Sequence, residues 1–251
     1  MLNRFDDEIY FKTVQLEDYD VRGALILGTE KAVIFDTLSR PHDMRDYEKL
    51  IGNRELSIIY SHADWDHIWG TAGVNRPIKS IIAHRLCLKR FLHDVPETLQ
   101  EYQKRQPELY NTVKLIPPDV IFDSELEMDL GGITLQLSHL AGHTVDSIVC
   151  FIPEKGILLA GDSLETPFPC INEISQMANW ITELEKWKKN TELKTVIPAH
   201  GMISGSEIID NNLHYLKSLL NGDMIEISEP LTSFYKETHI ENTALFLCKS
   251  S

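Results

Sequence analysis

The hydrophobic and polar positions in the first quarter of the chain predict a sheet, then a helix, then a further strand. Apolar, β-branched runs occupy residues 9–14, 23–27 and 32–35, and the polar turn between the last two is typical of a hairpin. Residues 41–52 carry apolar side chains at helical spacing, and residues 56–60 form another apolar run. We therefore expect an antiparallel sheet, followed by a helix and a buried strand.

The rest of the chain alternates between short strand-like and longer helix-like patterns. Predicted strands occupy residues 77–83, 120–122, 127–130, 133–137, 147–152, 156–160 and 194–198. Predicted helices occupy residues 85–106, 175–189 and 207–220. The pattern does not identify the structure of residues 107–120 or 221–251, although the second of these segments is apolar enough to pack against the rest. This mixture predicts an α/β (α+β) protein.

Length and composition favour one large domain over residues 1–251, with a core at about 8–220 and a packed C-terminal extension at 221–251, because 43% of the 251 residues are hydrophobic. The formal net charge of −14 repels phosphate backbones, so we expect no nucleic-acid partner. We also expect no membrane association and a cytoplasmic location, since no stretch approaches the roughly 18 to 20 apolar residues of a membrane span and no apolar signal segment is present. The sequence does not determine the oligomeric state.

The four cysteines are widely spaced and form no Cys-x-x-Cys pair, so they predict neither a thiolate zinc site nor a disulfide framework. We expect reduced and mostly buried thiols at Cys87, Cys150, Cys170 and Cys248.

Four possible metal ligands follow the predicted strand 56–60 within six residues: His62, Asp64, Asp66 and His67. The turn from this strand into a helix would let these side chains converge, whereas a straight strand would point neighbours to opposite faces. Imidazole nitrogens and carboxylate oxygens are the usual ligands of zinc and of harder divalent metals. A polar surface turn with Asp66 as a helix cap is the alternative.

Three further ligand-type residues each follow a later predicted strand: His143, Asp162 and His200. Strand ends on one side of a sheet lie near each other, and open sheets gather their sites there. Four histidines and three aspartates are enough for two metal ions with one carboxylate between them.

The order of these motifs resembles the metallo-β-lactamase-fold superfamily, whose signature is His-x-His-x-Asp-His followed by a lone His, a bridging Asp and a final His. The matching segments here are His62-Ala-Asp64-Trp-Asp66-His67, Ala141-Gly-His143-Thr144, Leu159-Ala-Gly161-Asp162-Ser163 and Pro198-Ala-His200-Gly201. The resemblance covers about residues 8–220 and implies a four-layer αβ/βα sandwich. Asp36-Thr37 also resembles the Asp-Thr pair that ends an early strand of that fold.

Carried over position by position, the resemblance implies that His62, Asp64 and His143 bind one metal ion and that Asp66, His67 and His200 bind the other. Asp162 would bridge the two ions. Asp64 departs from the signature, because most hydrolases of the superfamily have His there. A carboxylate at this position shifts the metal preference toward iron or manganese without excluding zinc. We expect zinc as the metal. Asp64 as an outer residue that leaves one metal site weak is the alternative.

The resemblance implies a metal-dependent hydrolase in which a hydroxide held by two divalent metals cleaves an ester, thioester, lactone or similar bond of a small-molecule substrate. Asp66 and Asp162 are the candidate catalytic residues. A diiron oxidoreductase that needs a separate electron donor is the first alternative, because flavodiiron proteins have an acidic residue, Glu, at the position of Asp64. A metal- or ligand-binding protein without catalytic activity is the second.

Substrate contacts are harder to predict, because fold does not determine the pocket walls. His84 ends a predicted strand, and Phe168 and Trp180 lie in a loop and helix expected to overhang the site, so these three are candidate substrate-binding residues. A structural role inside the protein is the alternative for each. Trp65 is expected to form a pocket wall.

Overall fold

The computed structural model describes residues 2–227 and 230–247; Cys248 lies outside the described residues. Its first sheet has seven strands whose order in space equals their order in the chain. The strands are β1 (Asn3–Arg4), β2 (Ile9–Gln15), β3 (Asp20–Leu27), β4 (Lys31–Phe35), β5 (Glu55–Ile59), β6 (Ser80–His84) and β7 (Val120–Phe122). The sheet is antiparallel from β1 to β4 and parallel from β4 to β7. The predicted antiparallel opening of the fold is therefore confirmed.

The second sheet has five strands in the spatial order β12-β11-β10-β9-β8. The strands are β8 (Glu125–Asp129), β9 (Thr134–His139), β10 (Ile148–Ile152), β11 (Ile157–Gly161) and β12 (Thr195–Pro198). Neighbours are antiparallel except for β11 and β12, which run parallel. Every residue of β10 and β11 is buried, which explains why both read as continuous apolar runs in the sequence.

Helices cover the outer face of each sheet. The first sheet carries α1 (Glu48–Ile51), α2 (Trp65–Ile68), α3 (Arg85–Phe91), α4 (Asp94–Arg105), α5 (Pro107–Tyr110) and the 3₁₀ segments Pro41–Asp46 and Trp69–Gly73. The second sheet carries the 3₁₀ segment Ile174–Gln176, α6 (Met177–Trp187), α7 (Glu207–Asn221) and α8 (Ser233–Leu247). The two sheets face each other through buried side chains such as Val33, Ile59, Leu137 and Leu159. These layers form the expected αβ/βα sandwich.

Two segments differ from the sequence-based expectation in detail, and the structure places a third that the sequence left open. Residues 41–52 form a 3₁₀ segment and the single-turn helix α1 instead of one helix. Residues 85–106 form α3 and α4, because Pro96 has no N–H for the carbonyl of residue 92 and its ring crowds that carbonyl. Within 221–251, whose structure the sequence left open, residues 233–247 form α8, which buries Tyr235, Thr238 and Asn242.

The topology brings several strand ends to one edge of the sandwich. The loops after β5, β9, β11 and β12 carry all the candidate metal ligands, and each of these strands contributes buried side chains to the core between the sheets. In the described ranges, no helix combines the length and the apolar character that crossing a membrane requires.

Candidate metal centre

The turn after β5 is held in place by a buried carboxylate on the neighbouring strand. Asp36 follows β4, and its Oδ1 accepts the backbone N–H of Ser61 at 2.7 Å while its Oδ2 lies 2.9 Å from Nδ1 of His67. Asp36 has a φ of 62°, a left-handed conformation that Asp tolerates better than most residues. Parallel pairing of β4 with β5 thus sets both the turn and the orientation of the His67 ring.

Two glycines allow the other strand ends to approach this turn. Gly161 ends β11 with a φ of 52°, and a Cβ there would lie 2.9 Å from Cβ of Ser61. A Cβ on Gly142, next to His143, would lie 2.3 Å from the indole of Trp180. Larger side chains at either glycine would push a candidate ligand away from the others.

The candidate ligands lie in two groups around Asp162. His62, Asp64 and His143 form the first group, and Asp66, His67 and His200 form the second. Oδ2 of Asp162 is 3.6 Å from Nε2 of His62, 3.5 Å from Nε2 of His143 and 3.2 Å from Nε2 of His200, and its Oδ1 is 3.3 Å from Nε2 of His67. The structure thus brings together all seven residues predicted as ligands, with Asp162 reaching both groups.

All four histidines have Nδ1 engaged and Nε2 turned toward the centre. Nδ1 of His62 lies 2.9 Å from Oγ of Ser61, Nδ1 of His143 lies 2.9 Å from the carbonyl of Cys170, and Nδ1 of His200 lies 2.5 Å from the carbonyl of Asp20. Such contacts fix the ring orientation and the tautomer of a metal-binding histidine.

Three buried atoms of this centre have no hydrogen-bond partner in the described part of the chain: Nε2 of His62, Nε2 of His67 and Oδ1 of Asp162. Buried polar atoms are almost always paired, and leaving one unpaired costs about 1 to 3 kcal/mol. A cation between these atoms would satisfy them together. The donor set of imidazole nitrogens and carboxylate oxygens therefore fits two divalent metal ions, although the identity and number of the ions stay predictions.

The charges of the centre oppose the effect of burial on its pKa values. Burial disfavours the charged form of His143, but its hydrogen bond to Asp64 and the nearby carboxylates outweigh burial and raise its pKa to about 9. In the same way, Asp162 and Asp66 raise the pKa of His200 to about 10. Despite burial, the surrounding histidines hold the pKa of Asp162 well below its usual range.

Arg90 on α3 is a functional residue that the sequence analysis missed. One terminal nitrogen lies 2.7 Å from Oδ1 of Asp64, and the other lies 3.1 Å from Oδ1 of Asp146. Asp146 is fully buried, and its Oδ2 accepts the backbone N–H of Ala63 at 2.8 Å. Arg90 thus fastens the ligand turn at two points. A partly buried Asp64 would predict a cationic partner, but α3 carries Arg85 and Lys89 as well as Arg90. Which of the three side chains faces Asp64 depends on the rotation of the helix about its axis.

The metallo-β-lactamase superfamily profile matches residues 22–200 of the chain. This match covers well over half of the 251 residues. The chain belongs to the metallo-β-lactamase superfamily. The fold and the family inferred from the ligand motifs are therefore confirmed. No curated protein sequence matches the chain significantly.

Solved metallo-β-lactamases share the fold of this superfamily member. The enzyme from Pontibacter korlensis aligns with a TM-score of 0.67 and 16% identity, over 86% of this chain and 98% of its own. FIM-1 from Pseudomonas aeruginosa, solved in a mono-zinc form, aligns with a TM-score of 0.66 and 18% identity, over 87% of this chain and 95% of its own. The enzyme from Erythrobacter litoralis aligns with a TM-score of 0.66 and 16% identity, over 86% of this chain and 96% of its own. At these identities the likeness shows the fold alone.

Residues that precede and follow the segment matched by the superfamily profile close the pocket above the ligands. Phe234 on α8 stacks on Tyr19 with ring centroids 4.1 Å apart, and Tyr19 also lies 5.4 Å from the His200 ring. The hydroxyl of Tyr235 donates a hydrogen bond of 3.4 Å to Oε2 of Glu165. Glu165 is buried beside the ligands. Burial and the charge of Asp162 raise the pKa of Glu165 to about 7. The sequence pattern gave no signal for these contacts.

The three predicted substrate-binding residues lie outside this pocket. His84 is buried and stacks on His139 with centroids 3.7 Å apart, because β6 and β9 end side by side at this point. Phe168 is buried against Tyr215, and Trp180 is buried under Gly142 with its indole N–H on the carbonyl of Ser163. All three are therefore buried side chains of the interior, whereas Trp65 lines the pocket as expected.

Proposed function

We propose that this protein is a metal-dependent hydrolase that cleaves an ester, thioester, lactone or similar bond of a small molecule at a dinuclear centre. In this proposal, His62, Asp64 and His143 hold one divalent ion, Asp66, His67 and His200 hold the other, and Asp162 lies between them. Zinc suits the four imidazole nitrogens best, and iron or manganese would also accept the three carboxylates.

The observation that carries the proposal is the convergence of buried, unpartnered ligand atoms. Nε2 of His62, Nε2 of His67 and Oδ1 of Asp162 lie close together, and none of them has a hydrogen-bond partner in the described ranges. Hydrogen bonds on Nδ1 already orient the four imidazoles for ligation through Nε2. This arrangement would be costly for folding if it had no cation to bind.

Two divalent ions, when bound, supply an activated water and polarise the bond to be cleaved. The chain's own residues orient and enclose that reaction. Asp66 and Asp162 are the proposed catalytic residues. Asp66 supplies the carboxylate of the second ligand group, and Asp162 supplies the carboxylate that lies between the two groups. Glu165 is buried with a carboxylate oxygen within 4.8 Å of ligand atoms of Asp162 and His143, so it is placed to hold a proton beside the ligands. Tyr19 and Phe234 limit the access of bulk water from one side.

Elemental analysis and a substrate screen test the proposal. Protein purified without chelator should contain about two zinc ions per chain and hydrolyse members of a panel of aryl esters, thioesters, lactones and one β-lactam. Asp162→Asn should lose metal and activity together, while Asp129→Asn, on an exposed strand, should lose neither. Wild type without stoichiometric metal, or an Asp162→Asn variant with full activity, would overturn the proposal.

A diiron oxidoreductase is the second candidate, favoured by the carboxylate of Asp64 among the candidate ligands. Oδ2 of Asp64 lies 3.5 Å from Nε2 of His62 and 3.3 Å from Nε2 of His143, as a ligand oxygen in that group should. Two iron ions per chain, with reduction of oxygen or nitric oxide when an electron donor is added, would support this function. Redox-silent zinc with hydrolysis of the panel would exclude it.

A further inference from the structure

The pocket above the metal ligands is too small to hold more than the reacting group of a substrate. Its volume is about 160 Å³, whereas small-molecule sites usually measure about 300 to 1,000 Å³. A neighbouring cavity of about 520 Å³, here called the side cavity, is lined by Glu17, Tyr19, Arg40, Trp65, Tyr102 and Tyr110 among others. It shares Tyr19 and Trp65 with the metal pocket, so the two spaces adjoin.

The other large cavity is not connected in this way. It measures about 580 Å³ and is lined by residues such as Ser138, Gln176 and Glu183, none of which lines the metal pocket. A substrate that reaches the metal ligands with its reacting group can therefore place its remaining atoms in the side cavity.

Aromatic rings form one wall of the side cavity. Trp65 and Tyr102 have ring centroids 4.9 Å apart, and Tyr110 packs edge-on against Trp65 at 5.9 Å and against Tyr102 at 5.3 Å. Trp65 and Tyr102 remain partly exposed toward the cavity, while Tyr110 is buried behind them. Burial raises the pKa of Tyr102 to about 12, so this phenol is neutral at physiological pH. Such a wall suits a flat, apolar group.

Two arginines, Arg40 and Arg105, line the side cavity of a protein whose formal net charge is −14. Arg105 also pairs with the exposed Glu101 at 3.6 Å, and Glu17 is the carboxylate in the lining. The Arg40 side chain is only 19% exposed, and its Nε lies 3.2 Å from Oδ2 of the buried Asp43. This contact orients the guanidinium, whose terminal nitrogens form no hydrogen bond with the described residues. A fixed guanidinium group of this kind is suited to an anion.

We propose that the side cavity binds the non-reacting part of an anionic substrate with a flat apolar body. The body would lie against Trp65 and Tyr102, the anionic group, a carboxylate, sulfonate or phosphate, would meet Arg40, and the bond to be hydrolysed would lie at the metal ligands. This inference rests on the proposed hydrolytic function for the last of these contacts only. The binding contacts can be tested without any turnover.

The binding test uses 2-naphthalenesulfonate and its neutral counterpart 2-naphthol with the metal-loaded protein in isothermal titration calorimetry. Wild type should bind the sulfonate more tightly than the naphthol by about tenfold, since a charge-assisted contact is added. Arg40→Met should remove this difference. Arg45→Met should keep it, because Arg45 is an exposed arginine of the 3₁₀ segment that follows Arg40 and does not line the cavity. Tyr102→Ala should weaken both ligands by about 2- to 10-fold through the loss of ring contact.

Equal affinity of wild type for the two ligands, or an unchanged preference in Arg40→Met, would overturn the inference. If Arg40→Met fails to fold, Arg40→Gln, which removes the charge but keeps an N–H donor for Asp43, provides the same comparison. A kinetic arm then separates this inference from the proposed function. 4-Nitrophenyl 6-sulfo-2-naphthoate should show a lower KM than 4-nitrophenyl 2-naphthoate in wild type but not in Arg40→Met. Hydrolysis of neither ester by wild type would count against the proposed function, while the calorimetry would still decide the side cavity.

Discussion

Arg90 and Asp64 form an ion pair in which one carboxylate oxygen faces the arginine and the other faces the histidines of the candidate metal centre. The Arg90 nitrogen is 2.7 Å from Oδ1 of Asp64, while Oδ2 lies 3.3 Å from Nε2 of His143. An aspartate in this motif position adds a negative charge that a histidine would not bring. The guanidinium, which also pairs with Asp94 and Asp146, offsets part of that charge and leaves the other oxygen of Asp64 for a metal ion.

Replacing Arg90 should weaken one of two metal sites. Arg90→Met frees Asp64 to rotate, and we expect this loss of orientation to outweigh the removal of a positive charge that repels a cation, so that the affinity for one metal ion falls by about 10- to 100-fold. Stepwise titration with zinc, followed by elemental analysis after dialysis, measures this change. Arg85→Met is the matched control, because Arg85 lies on the same helix and pairs with Asp123 at the surface. Equal metal retention by both variants would show that Arg90 does not act on the metal centre.

Asp36→Asn should affect both metal affinity and stability. The carboxylate accepts from Ser61 and His67 with its two oxygens, and an amide has only one acceptor oxygen. One donor would then face an NH₂ group, which should cost about 1 to 3 kcal/mol of unfolding free energy and lower metal affinity by about 10- to 100-fold. Urea unfolding and zinc titration test this expectation. Asp119→Asn, which can keep its bond from the N–H of Ile81, should stay close to wild type.

Metal binding should release protons at neutral pH. In the metal-free protein, the pKa is about 9 for His143 and about 10 for His200, and that of His67 is also raised, so these imidazoles are protonated at pH 7. Coordination requires neutral imidazole, so we expect release of on the order of two to three protons per chain. Calorimetry in buffers of different ionisation enthalpy measures this number. An observed enthalpy that is the same in all buffers would contradict it.

The stability of the metal-free protein should fall in alkaline solution. Groups whose pKa is raised by folding stabilise the protein fully below their unfolded value of 6.5, and this contribution disappears as pH rises through about 9 for His143 and about 10 for His200. Urea midpoints of chelator-treated protein between pH 6 and pH 10 should therefore decrease. A midpoint that rises over this range would show that the imidazoles are neutral in the folded state.

Asn242 should be important for the C-terminal helix and for the loop beside the site. Its side chain accepts from the N–H of Ile171 at 3.0 Å and donates to the carbonyl of Pro169 at 2.9 Å, and it is almost fully buried. Asn242→Ala leaves both backbone groups unpaired and should lower the unfolding free energy by about 1 to 3 kcal/mol. Glu241→Ala, on the exposed side of the same helix, should change it by less than about 0.5 kcal/mol. Similar stability of the two variants would show that α8 is not anchored at Asn242.

The sequence by itself determined the family, the layer order and the candidate ligands. His62, Asp64, Asp66 and His67 are close in the chain, and His143, Asp162 and His200 each follow an apolar strand, so local patterns identified all seven. Short-range information is sufficient where a motif and a buried strand adjoin, because the strand end fixes where the motif lies.

Only the tertiary structure decided which distant groups meet the ligands. Arg90 reaches Asp64, Asp36 reaches His67, and Phe234 stacks on Tyr19 across separations that no pattern along the chain encodes. His84, Phe168 and Trp180 were placed near the substrate from the sequence, but packing turned each into the interior. The direction of a side chain depends on helix rotation, on loop conformation and on which faces are buried together. These features depend on how all the elements pack together, so the sequence determines them only through the complete set of tertiary contacts.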